Sequence, residues 1–110
     1  MLSRRVLPDE CVDSKLAGHI TGHEVKTVRG AGWLGFNNGD LLRRAEIDFD
    51  VLVTMDRSLI HQQNISKFDI AVIVLSARSN RARTLLPLIP DLLGAIPVAK
   101  PGTTLILKLP

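Results

Sequence analysis

A chain of 110 residues, 45% of them hydrophobic, carries apolar material for one core, so a single domain spanning residues 1–110 is expected and a second is excluded. The net charge of +3 and pI near 9.5 are mildly basic, and nine of the 14 cations are Arg, which suits bidentate phosphate contacts although a solvated surface explains the same balance. One cysteine, Cys11, excludes an internal disulfide; three Phe, one Trp and no Tyr argue against an aromatic base-stacking platform.

No apolar run approaches a membrane span, and the first ten residues lack the apolar centre of a signal peptide, so a soluble, cytoplasmic protein is expected. Arg4 to Pro8 reads as a first strand, with Asp9 and Glu10 at its carboxyl end. Cys11 to Gly18 reads as a short helix, with Val12 and Leu16 one turn apart, closed by Gly18 and Gly22. Glu24 to Val28 is a short second strand. Arg29 to Asn38 is a glycine-containing loop without the Gly-Lys-Ser/Thr end of a Walker motif. Asn38 is the expected N-cap of a helix from Gly39 to Ile47, whose apolar face is Leu41, Leu42 and Ala45.

Phe49 to Arg57 carries the strongest signal. Val51, Leu52 and Val53 suit a strand buried on both faces, and the run stops at Thr54, Met55, Asp56 and Arg57. Ser58 to Asn64 reads as a short helix and Ile70 to Leu75 as the next buried strand. Ser76 to Arg83 is a polar connection. Thr84 to Ile96 has helical spacing that Pro87 and Pro90 must break or restart. Thr103 to Leu109 is a last strand. The alternation of strands and helices predicts an α/β, three-layer sandwich around a mostly parallel sheet of four to five strands.

In such a sheet, ligands bind beyond the carboxyl ends of the strands. Asp56 stands there. Asp50, six residues earlier and roughly 20 Å away along an extended strand, does not, and the two cannot share one ion. Each candidate has a plainer role beside the functional one. Asp56 can cap the following helix, Asp40 can answer a helix dipole, and Thr54 can simply bond its hydroxyl to the backbone, with orienting Asp56 a secondary role. Trp33 reads as a hydrophobic plug or dimer contact. His19 and His23 have the spacing of helical zinc ligands, but Gly22 interrupts them and HITGH lacks the glutamate of HExxH. Cys11 beside carboxylates is a poor thiolate, and Ser76 and Ser79 have no His/Asp partners.

Taken together, Asp9-Glu10 after the first strand, GHEVKTV, the GW.G..NGDLL segment, FDVLVTMDR and IAVIVLSARSNR resemble the PIN-like domain proteins, the toxin halves of bacterial toxin–antitoxin pairs. The resemblance covers about Val6 to Ile96. It implies a ribonuclease that gathers acids at the strand ends around Mg²⁺ or Mn²⁺. Asp9 matches the first-strand acid, Asp40 the acid after NG, and Asp56 the acid of T-x-D, with Glu10 assisting. Where that pattern often places a further acid, this chain has Ser76, Arg78, Ser79 and Asn80.

Carboxylates brought close repel one another, and a divalent ion removes that repulsion while activating water and stabilising phosphoryl charge. Arg57, Arg78, Arg81 and Arg83, with Asn80, are the expected contacts to RNA. The resemblance implies an antitoxin partner, and homodimerisation fits the same pattern. Two alternatives stand. One is a PIN-like scaffold that binds RNA or a protein without cleaving. The other is a receiver domain, imitated by Asp9-Glu10, Asp56, Ser76 and Lys100-Pro101. A receiver's Lys-Pro follows its fifth strand, whereas here the last strand follows Lys100-Pro101.

Overall fold

The computed structural model describes residues 3–109. Five strands form one all-parallel sheet in the order β2-β1-β3-β4-β5: β1 Arg5–Pro8, β2 Glu24–Val25, β3 Val51–Thr54, β4 Ala71–Ser76 and β5 Thr104–Lys108. Helices α1 Val28–Ala31, α2 Asn38–Asp48, α3 Ser58–Gln62, α4 Ala82–Leu85 and α5 Ile89–Ala95, with four short 3-10 turns, make the connections. The expected three-layer α/β sandwich is the architecture found.

The layers follow from the two-residue period of the strands. Val6, Val51, Val53, Ala71, Ile73 and Leu75 face one side, where they pack with Leu16, Leu85, Leu88, Leu92 and Ile96. Leu7, Leu52, Ile70, Val72 and Val74 face the other, against Val28, Leu41, Leu42, Ala45 and Leu59. Covered on both faces, β3 and β4 have no polar face, which is why they read as unbroken apolar runs.

Several boundaries differ from the sequence reading. The second strand stops at Val25, because Thr27 instead caps α1: its hydroxyl accepts from Gly30 N at 3.0 Å, and Gly32 closes the turn in the left-handed region at φ 79°. The loop expected from Arg29 to Asn38 therefore begins with helix. The cap of α2 is Asn37 rather than Asn38, with its side chain accepting from Asp40 N at 2.8 Å. The first helix is a 3-10 turn, Ser14–His19, capped by Asp13 rather than starting at Cys11.

The prolines act as expected. The segment after β4 runs as α4, a 3-10 turn Leu86–Leu88, then α5, with Pro87 and Pro90 each in the first positions of a new segment, where a missing N–H costs nothing. At the opposite end of the sheet, the Arg4 guanidinium donates to the carbonyls of Ile96 and Ala99, tying the chain's start to the end of this helical run. No described helix is long and apolar enough to cross a membrane.

Candidate functional site

The strand order reverses between β1 and β3: the connection after β1 leads to β2 on one side, and the connection after β3 leads to β4 on the other. Such a switch point opens a crevice outside the carboxyl ends of the strands. Pro8 widens it. Asp9 N donates to Val53 O at 2.8 Å, whereas Val6 O receives Lys26 N at 3.1 Å, so odd residues of this stretch face β3 and even ones face β2. Pro8 thus lacks a donor on the β2 side, and the bond from Lys26 N is the last one joining the described β1 and β2 residues. The gap is a groove of about 520 Å³. Asp9 to Ser14 line it from the segment after β1; Thr27 to Arg29 and Leu34 line it from the segment after β2, with Asn80 also contributing.

Asp9 and Thr54 are the buried polar side chains among the described residues, 8% and 0% exposed. They meet across the β1–β3 boundary, with the Thr54 hydroxyl donating to Asp9 Oδ2 at 2.9 Å. Asp9 Oδ1 accepts from Glu10 N at 2.8 Å, and the Cys11 thiol lies 3.5 Å from Oδ2. A carboxylate taken out of water is costly unless such donors surround it. Thr54 Oγ1 in turn accepts from Asp56 N at 3.0 Å, so one hydroxyl joins Asp9 to the main chain of Asp56. The orienting role expected of Thr54 thus falls on Asp9 as well as on the Asp56 backbone.

Glu10 is exposed on the rim of the same groove. Asn80 joins it there, its amide donating to Cys11 O at 3.3 Å and leaving the side-chain oxygen toward other partners. The Asp56 side chain is engaged locally, accepting from Ser58 N at 2.9 Å and from the Ser58 hydroxyl, although the cap position of α3 foreseen for it is held by Arg57. The Ser58 hydroxyl bond is the main reason its carboxyl is held below the usual carboxylate range. Asp40 is exposed, pairs with Arg43 one turn on, and lines a different groove with Phe36, Arg44 and Ile47.

The chain therefore brings together Asp9, Glu10, Thr54, Asn80 and the backbone of Asp56, and leaves the Asp40 carboxylate outside that groove. Among the described residues, no three His, Cys, Asp or Glu side chains form a ready-made metal set. The groove's donors are nonetheless oxygens of the kind Mg²⁺ and Mn²⁺ prefer: one buried carboxylate, one exposed carboxylate and an amide. Burial pushes the Cys11 thiol up, outweighing the bonds from Thr54 and Met55 N that draw it down, so it is a poor nucleophile and a poor soft ligand.

Of the cations expected to contact RNA, Arg57, Arg78, Arg81 and Arg83 are all exposed, and none lines the groove. Two groove residues were missed. Arg29 was lost in a stretch read as loop, although Thr27 and Gly32 around it carry the signals of a capped turn. Asp13 accepts from Lys15 N at 3.0 Å and Ala82 N at 3.1 Å, and these two backbone bonds hold its carboxyl below the usual range. It links the β1 loop to α4. Trp33 packs as a plug, stacked on Phe36 at 6.4 Å and edge-on to Phe49 at 5.7 Å. His23 is occupied as an acceptor for Arg4 N at 3.0 Å.

Comparison with protein-family models, with curated proteins and with solved structures finds no match to this chain.

Proposed function

We propose that this protein is a divalent-metal-dependent ribonuclease of the PIN-like toxin type, cytoplasmic and held in check by a cognate antitoxin protein. The observation that carries the reading is the Asp9–Thr54 pair: a carboxylate and a hydroxyl buried against each other at the carboxyl ends of β1 and β3, the switch point of the sheet, with Asp9 also lining the adjacent groove. A core position that only had to pack would hold an apolar residue at less cost. The resemblance of the Asp9-Glu10, NGD and T-x-D segments supplies the chemistry.

Asp9 and Glu10 would hold Mg²⁺ or Mn²⁺. Asp56 would add an oxygen by exchanging its bonds to Ser58 for the ion, and Asp40 would join only by leaving Arg43 and the separate groove it lines with Phe36. The ion supplies positive charge for the phosphoryl group and an activated water. The chain's own work is positional. Thr54 and the Glu10 amide fix the Asp9 carboxylate, while Asn80 ties the Cys11 carbonyl to the rim.

Asp40 paired with Arg43 favours a second reading, a scaffold of the same fold that binds RNA or a protein without cleaving. Cleavage of a labelled single-stranded RNA in Mg²⁺ and in Mn²⁺ separates the two. The enzyme reading expects metal-dependent cleavage that falls at least a hundredfold in Asp9→Asn, on the scale of losing a principal electrostatic contributor. Binding without cleavage by the wild type supports the scaffold. Mn²⁺ titrations of wild type, Asp40→Asn and Asp56→Asn then decide which distal acids join; equal affinity removes that acid from the site.

A further inference from the structure

Resting on the ribonuclease reading, we infer that Arg29 is the residue that receives the RNA phosphate, and that the exposed arginines after β3 and β4 are not. Asp9, Glu10 and Asp13 line the groove on the β1 side. A phosphate entering there meets like charge on that wall, and the repulsion is long-ranged beside a low-dielectric protein body. Arg29 is the one lysine or arginine among the lining residues, and it comes from α1, after β2, rather than from the acidic segment after β1.

Its guanidinium is also uncommitted. The ion pairs among the described residues are Arg5–Asp50 and Arg43–Asp40, and Arg44 lies over the Phe36 ring. Arg29 is exposed on α1, whose backbone is fixed by the Thr27 cap and by Gly32, so the head group starts from a rigid base. A guanidinium fork grips a phosphate through two parallel N–H bonds. Lining the same groove as Asp9, it holds the strand with a phosphodiester turned toward the carboxylates. The groove has the volume of one small-molecule site, which a nucleotide or two of a single strand fills and a duplex does not enter.

The test is binding of a fluorescein-labelled, cleavage-resistant 2′-O-methyl single-stranded oligoribonucleotide in Mg²⁺, followed by anisotropy over a salt series. Arg29→Gln is expected to bind about tenfold more weakly, the loss of one charge-assisted contact. Its log K against log salt slope should be shallower by about 0.7. Arg29→Lys should recover part of the affinity, while Arg57→Gln and Arg78→Gln stay within twofold of wild type. Unchanged affinity in Arg29→Gln, equal losses in all three glutamine variants, or no binding by the wild type overturns the assignment. Cleavage of the unmodified strand is scored separately. Cleavage with unchanged Arg29→Gln affinity removes Arg29 and leaves the enzyme. Selective loss of affinity in a wild type that does not cleave keeps Arg29 and removes catalysis.

Discussion

Thr54 shows how much one hydroxyl carries. It donates to Asp9, accepts from Asp56 N, and lies 3.4 Å from the Cys11 sulfur. Thr54→Val keeps the shape and deletes both bonds, leaving a buried carboxylate oxygen and a backbone N–H without that partner. Denaturant unfolding should show a loss of about 1–3 kcal/mol, with Thr54→Ser recovering most of it. A valine variant as stable as wild type would mean that Asp9 finds other donors. At this scale the sequence spoke unevenly. Asp9, Glu10 and Thr54 were legible because an apolar strand ends on them. The engagement of Asp56 by Ser58 and of Asp40 by Arg43 was foreseeable as local chemistry, since such bonds form within two or three residues. Arg29 and Asp13 act across the fold, and no short-range spacing reports that.

Among the elements, β1 and β3 are joined at both ends by aspartates of opposite purpose. Asp9 serves the carboxyl end. Asp50, set aside for chemistry in the sequence reading because it lies at the amino end, accepts from Arg5 N at 2.8 Å and pairs with the Arg5 guanidinium. Partial burial raises its pKa, but the Arg5 bonds outweigh that, and the net effect is a carboxyl below its ordinary value. A carboxyl with a lowered folded-state pKa stabilises the fold fully above its unfolded value near pH 4, and that contribution fades as pH falls through the folded value. Asp50→Asn should therefore cost about 1 kcal/mol at pH 7, modest because the side chain is 35% exposed, and the gap to wild type should close as pH falls through the lowered folded value. A gap that persists in acid would assign the effect to packing instead. Strands β3 and β4 were legible in outline because burial on both faces leaves an uninterrupted apolar run. Strand β2 was overextended, since two paired residues are too few to set a period and the Thr27 cap competes for the same stretch.

For the molecule as a whole, the radius of gyration of 12.5 Å is close to the roughly 13 Å expected of a compact chain this long. The sheet divides the core into two apolar clusters that share no side chain. Leu52 and Ile73 lie on adjacent strands but in different clusters. Leu52→Ala should cost about 2–5 kcal/mol and Ile73→Val about 0.5–1.5 kcal/mol. The double variant should equal the sum within about 0.5 kcal/mol, because neither cavity touches the other's lining. Non-additivity beyond that, read from the same unfolding curves, would show that strain passes through the sheet. The layer architecture could be read from the alternation of elements, but the strand order could not, because the choice of neighbour for β1 depends on contacts far apart in sequence.

Pro8 gives that order its consequence. A ring that cannot donate ends the zipper between the first two strands, much as a missing tooth stops a fastener. Everything beyond it fans apart, so the mouth of the molecule is held ajar by an omission.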